Sequence, residues 1–78
     1  MIDIVIAELQ QILAGKGAPP AEIGADTVLL DGDLPIDSLD LATLVVALEE
    51  RTGREPFRAG FRMFKTVGEL SILFEAAA

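Results

Sequence analysis

Few side chains in this sequence could do chemistry. The chain has 78 residues with no histidine and no cysteine. That excludes disulfides, thiolate and imidazole metal sites, and the usual serine and cysteine catalytic dyads. One hydroxyl stands out by its position. Ser38 lies in Asp33-Leu34-Pro35-Ile36-Asp37-Ser38-Leu39-Asp40-Leu41, where a polar, proline-broken segment ends and an apolar helical pattern begins. Asp37 is a good N-cap residue, and Asp40 stands three places after it, the spacing of a capping box with an acid in each role. The pattern predicts Ser38 as the first residue inside a helix, with its hydroxyl open to solvent. A helix N-terminus favours anionic groups, so a serine placed there suits a covalently attached phosphate ester. The same residues also read as a plain cap with an idle serine. An enzyme built on Ser38 and Asp37 is excluded, since nothing in the chain serves as a suitable base.

The elements that must hold Ser38 follow from periodicity. Ile2, Val5, Ile6, Leu9, Ile12 and Leu13 recur at threes and fours and predict an amphipathic helix over about 2–14, with Ile4 off the stripe. Gly15-Lys16-Gly17 stops it. Residues 15–37 form a long connection, in which Pro19, Pro20, Gly24, Gly32 and Pro35 forbid any long helix or strand. Ala21-Glu22-Ile23 fits one short turn. Val28, Leu29, Leu30, Leu34 and Ile36 are too apolar for a free linker, so the loop should lie pinned across the bundle. The second helix runs from Ser38 to about Thr52, with Leu41, Leu44, Val45 and Leu48 inward. Glu49 and Glu50 near its end oppose the helix dipole, with Arg51 and Arg54 placed to offset them. Phe57, Phe61 and Phe64 can share one face of a short third helix, although Gly60 weakens it. Thr66 and Glu69 make a Thr-x-x-Glu capping box for a last helix over about 67–77, and Ala76-Ala77-Ala78 should fray. The expectation is an all-α fold: a small four-helix bundle of three long helices and one short third helix, with a long loop between helices 1 and 2, forming one domain over 1–78.

Charge is unevenly spread. The net charge is −7, and residues 1–50 carry ten acids against one base, Lys16, whereas residues 51–78 carry five bases and three acids. The acidity argues against nucleic acid, whose phosphates would be repelled, and for partners with basic docking faces. Asp26, Asp31 and Asp33 lack the glycine and distal glutamate of a calcium loop, so no metal is expected. No apolar run is long enough to cross a membrane and the start is not that of a signal peptide, which makes a cytoplasmic location the expectation.

The stretch from Asp33 to Leu41, followed by Leu44-Val45-Val46-Ala47-Leu48-Glu49-Glu50, resembles the acyl carrier proteins of fatty acid and polyketide synthesis. Lys65-Thr66-Val67-Gly68-Glu69-Leu70 is similar to that family's approach to its last helix, and the likeness covers nearly the whole chain. The resemblance implies a carrier and not an enzyme. Ser38 matches the serine that receives 4′-phosphopantetheine from coenzyme A through a phosphopantetheinyl transferase. The arm's thiol then carries acyl groups as thioesters, and the cofactor supplies the sulfur that the chain lacks. Asp37 matches the acid before that serine and Leu39 the apolar residue after it. The implied partners are the transferase, an acyl- or aminoacyl-loading ligase, and acyltransferase or synthase enzymes docking on the acidic second helix; a monomer is expected. In such carriers the acyl chain can tuck between helices; Ala42 and Ala47 are small enough to leave space for one, although small residues equally mark close helix contact. A chain starting at Met1 favours a free-standing carrier.

The departures from the family are specific. Pro35 stands where glycine is usual, which stiffens the approach to Ser38. Thr43 replaces a common glutamate and Thr52 a usual aromatic. Arg54 to Lys65, with Arg58, Arg62 and Lys65 among Phe57, Phe61, Met63 and Phe64, replaces an acidic third helix. Either the rings close the core while the bases are solvated, or this surface selects other partners. An acyl cargo leads. An amino acid or polyketide unit delivered by a dedicated ligase is the runner-up cargo; peptidyl carriers rank lower, because they usually lack so acidic a second helix and often have glycines just before the serine. A carrier-fold interaction module without cofactor is a further alternative.

Overall fold

Helix α1 (Ile2–Gly15) follows the three-four apolar stripe, burying Val5, Leu9 and Leu13 while Ile2, Ile6 and Ile12 are half-buried. Its end is a Schellman motif, in which two amides beyond the helix turn back onto otherwise orphan carbonyls. The Ala18 amide donates to the Leu13 carbonyl at 3.0 Å and the Gly17 amide to Ala14 at 3.0 Å, with Gly17 at φ +74°. Lys16 is thereby fixed as the C-cap. Helix α2 (Ser38–Thr52) buries Leu44 and Leu48 and ends at Gly53, whose amide donates to Glu49. Helix α3 (Val67–Ala76) buries Val67, Leu70, Ser71 and Phe74. The structure is a computed structural model and describes residues 1–19, 21–32 and 34–77. Pro20 and Asp33 in the loop, and Ala78 in the expected frayed end, lie outside the described residues.

Helix α1 packs against both α2 and α3. Among the described residues α2 and α3 make no comparable direct contact, and loop side chains fill the space between them. Phe57 is one of them: its ring meets that of Phe74 on α3 edge to face, with centroids 6.5 Å apart, and it shares a groove with Val45 and Val46 of α2. Leu29, from the long connection, joins the core formed by Val5, Leu9, Leu44, Leu48, Val67, Leu70 and Phe74.

The long loop is pinned as expected, but chiefly by its backbone. The Leu29 amide donates to Lys65 at 2.9 Å, the Val67 amide to Thr27 at 3.0 Å and the Gly68 amide to Ala25 at 2.8 Å. An isolated antiparallel bridge joins Val28 to Thr66. These bonds tie the loop to the segment entering α3 and satisfy amides that the helix start leaves without intrahelical partners. The short turn expected at Ala21-Glu22-Ile23 falls later, at Gly24–Thr27, where the Thr27 hydroxyl accepts from the Gly24 amide.

The fold is all-α, with three helices among the described residues. The short third helix expected within 54–65 does not form. Residues 56–59 make a turn, with the Arg58 amide on Glu55 and the Gly60 amide on Phe57, both three-residue steps. Gly60 at φ +147° then leads the chain away from helical geometry, a conformation open to glycine and not to residues with a side chain. The rings gather without a helix: Phe57 stacks on Phe61 at 5.4 Å and on Phe64 at 5.8 Å. Phe57 and Phe64 pack on the core, whereas Phe61 is 71% exposed.

Candidate functional site at the start of helix α2

The start of α2 is built from the capping box that the sequence predicts. Asp37, in extended backbone, accepts the Asp40 amide at 2.9 Å, and the Asp40 carboxylate accepts the Asp37 amide at 3.1 Å. The first intrahelical bond runs from the Leu41 amide to the Asp37 carbonyl. The Ser38 and Leu39 amides lie ahead of that bond, in the part of the helix where the N–H groups have no intrahelical acceptor. Ser38 is the first helical residue and is exposed. Before it, the Ile36 amide donates to the Leu34 carbonyl at 2.9 Å, closing a three-residue turn centred on Pro35. The turn needs a negative φ, which proline supplies ready-made. Pro35 therefore turns the chain into Ser38 by a route of its own.

Lys16 is the residue that sequence patterning missed. Its ammonium reaches from the end of α1 to the Asp40 carboxylate at the start of α2. This hydrogen bond, with the Asp37 amide second, holds the Asp40 carboxyl below the usual carboxylate range. The same bond to Asp40 raises Lys16 above its ordinary value. The available signal was that Lys16 is the one base among the first fifty residues. At α3 the box is similar: Glu69 accepts the Lys65 and Thr66 amides, which lowers its carboxyl.

Beside Ser38 runs a groove of about 340 Å³, lined almost wholly by apolar groups. Leu41, Ala42, Val45 and Val46 of α2 form one wall, and Phe57, Phe61 and Phe64 form the other. Ala42 lines this groove. Ala47 instead lines a hollow on the outer side of α2 with Leu39, Thr43 and Glu50. Large apolar side chains crowd the surface near this site, with Leu39 76% exposed and Met63 80% exposed. The two arginines expected to offset Glu49 and Glu50 do other work. Arg51 pairs with Glu8 of α1 at 3.1 Å, and Arg54 donates to the Phe74 and Glu75 carbonyls, closing the C-terminal end of α3. Glu50 is exposed and Glu49 half-buried, and neither arginine pairs with them. Among the described residues no group of three or more acids is arranged to hold a metal ion.

The family described as "Phosphopantetheine attachment site" matches residues 7–74 of this chain. The acyl carrier protein of Saccharopolyspora erythraea is 35% identical over 66 residues, covering 85% of this chain and 70% of that protein. The chain belongs to the acyl carrier protein family. No solved structure matches it. A carrier of this family is not an enzyme, and its cofactor is 4′-phosphopantetheine. The start of α2 fits that group: an exposed hydroxyl at the first helical position, first-turn amides suited to an anion, and an apolar groove alongside. When bound, the group supplies a flexible arm ending in a thiol, which this cysteine-free carrier lacks.

Proposed function

We propose that Ser38 is the attachment point and that this chain carries acyl groups as thioesters on the arm fixed there. The observation that supports this reading best is the position of Ser38: exposed, first in a doubly capped helix, within the matched residues and at the lip of an apolar groove. In the attachment step the Ser38 Oγ–P bond forms and one phosphoanhydride bond of coenzyme A breaks. Adenosine 3′,5′-bisphosphate leaves, and the hydroxyl proton passes to the transferase. Asp37 and Asp40 fix the helix turn that presents the hydroxyl.

The cargo in this reading is an acyl chain of fatty acid or specialised lipid or polyketide synthesis, and its thioester end rests against Val45, Val46 and the three phenylalanines. Partners dock on the acidic and apolar outer face of α2, at Leu39, Val46, Glu49 and Glu50. Arg58, Arg62 and Lys65, all exposed beside Phe61 and Met63, form a second edge that selects among them. A single domain over 1–78, acting as a monomer in the cytoplasm, completes the reading. No helix is long and apolar enough to cross a membrane among the described residues.

The test is direct. The protein is incubated with coenzyme A and a broad-specificity phosphopantetheinyl transferase, then weighed. The expected result is a gain of one phosphopantetheine that Ser38→Ala abolishes. No gain under conditions that load a control carrier would refute the attachment. Charge reversal at Arg58 and Arg62 should change loading by the cognate ligase; an unchanged rate removes the case for the second edge.

A further inference from the structure

We infer that Lys16 is a cofactor-binding residue: its ammonium donates to the phosphodiester that joins the arm to Ser38. This rests on the attachment reading for Ser38. Lys16 is the one base among the first fifty residues, against ten acids, and the fold delivers it to the start of α2. Its backbone is held by the Schellman motif that ends α1, so the origin of the side chain is set by the fold. Its ammonium contacts Asp40 Oδ2, the same oxygen that accepts the Asp37 amide at 3.1 Å. The cation is therefore one carboxylate oxygen away from the backbone of the residue preceding Ser38.

An exposed ion pair of this kind contributes little to stability by itself, so stability alone gives weak reason for the placement. The chemistry of the loaded state gives a stronger one. Attachment puts a further negative charge beside the carboxylates of Asp37 and Asp40. The first-turn amides and helix dipole offset part of that charge, and a nearby cation offsets more. The ammonium has three N–H donors on a flexible stem, and Asp40 engages one of them, so it can keep Asp40 and still donate to a phosphate oxygen. Three other bases have partners away from Ser38: Arg51 on Glu8, Arg54 on the α3 carbonyls and Arg58 on Glu55. Arg62 and Lys65 line other hollows and not the groove at Ser38.

The experiment compares apo and holo forms of the wild type, Lys16→Gln, Lys16→Arg and Arg51→Gln. In the wild type, loading should shift the Lys16 ammonium ¹⁵N resonance. Lys16→Gln should displace the ³¹P resonance of the ester and lower the Tm of the holo form by about 4 °C more than that of the apo form. Lys16→Arg should restore both, and Arg51→Gln, which removes a pair with Glu8 away from Ser38, should lower the apo and holo Tm equally and leave the ³¹P signal unmoved. An unmoved Lys16 resonance on loading, or equal Tm losses in apo and holo Lys16→Gln with an unmoved ³¹P signal, would overturn the inference while leaving Ser38 loaded. A wild type that takes up no pantetheine would instead remove the attachment reading on which it rests.

Discussion

Replacing Asp37 by alanine separates the cap that presents Ser38 from the charge beside it. The alanine variant loses the acceptor of the Asp40 amide, a bond of 2.9 Å, while the reciprocal bond from the Asp37 amide to Asp40 is main chain on one side and survives. The extended backbone at this position, φ −116° and ψ −174°, suits alanine, so no strain is added. Loss of an N-cap costs about 0.5–2 kcal/mol, and Asp37 is exposed, so water takes over the amide and the lower half of that range applies. Loss of an acid from the helix N-terminus adds about 0.3–0.5 kcal/mol once salt screening is included. The sum is about 1–1.5 kcal/mol, which lowers Tm by about 5–10 °C in a domain of this size. Asp37→Asn keeps the cap and loses only the charge, so its Tm should fall by no more than about 4 °C. Thermal melts followed by circular dichroism give the two shifts, and loading of each apo variant by the transferase shows whether the cap or the charge governs presentation of Ser38. Equal losses in the two variants, or a Tm for Asp37→Ala within about 2 °C of wild type, would refute the capping account.

Three further outcomes are expected. Leu29→Ala, which empties a side chain only 1% exposed, should cost about 2–5 kcal/mol in urea unfolding, a large share of the roughly 5–15 kcal/mol that holds a small domain. Gly68→Ala should destabilise by about 1–3 kcal/mol, because its Cβ would lie 3.0 Å from the Ala25 carbonyl oxygen; Gly15→Ala, with open space around it, should be neutral or stabilising by up to about 1 kcal/mol in the same assay. Stability against pH should form a plateau with two limbs. Asp40 and Glu69 are held below their ordinary values of 3.8 and 4.5, so their contribution is present above that range and is lost as pH falls through the lowered folded values. Lys16 is raised above 10.5, so its contribution is present below that value and is lost as pH rises through the folded one. Glu69→Gln should flatten the acid limb and Lys16→Gln the alkaline limb in urea melts taken across pH.

Local interactions made much of this protein legible from its sequence. Both capping boxes, the limits of α1 and α2 within a residue, and the position of Ser38 depend on side chains three or four places apart, so the pattern carries them. The apolar residues of the long connection likewise announced that it would be pinned. Ser71, buried on α3, was not legible, since its burial reflects what packs against it. The segment over 54–65 defeated periodicity because Phe57, Phe61 and Phe64 have helical spacing, whereas Gly60 and contacts with Phe74 and α2 set its course.

The sequence by itself determined where α2 starts and which hydroxyl stands there, because a cap is a contact among neighbours in the chain. Tertiary structure alone decided what surrounds that hydroxyl. Lys16 and Asp40 are 24 residues apart, Arg51 and Glu8 are 43 apart, and the two walls of the groove come from different segments. Such pairings depend on how the Schellman turn ends α1, how Leu29 pins the loop, and how Phe57 spaces α2 from α3. They are packing outcomes that no fixed spacing along the chain encodes. The charge and the cavity beside Ser38 therefore belong to the fold, while Ser38 and its cap belong to the sequence.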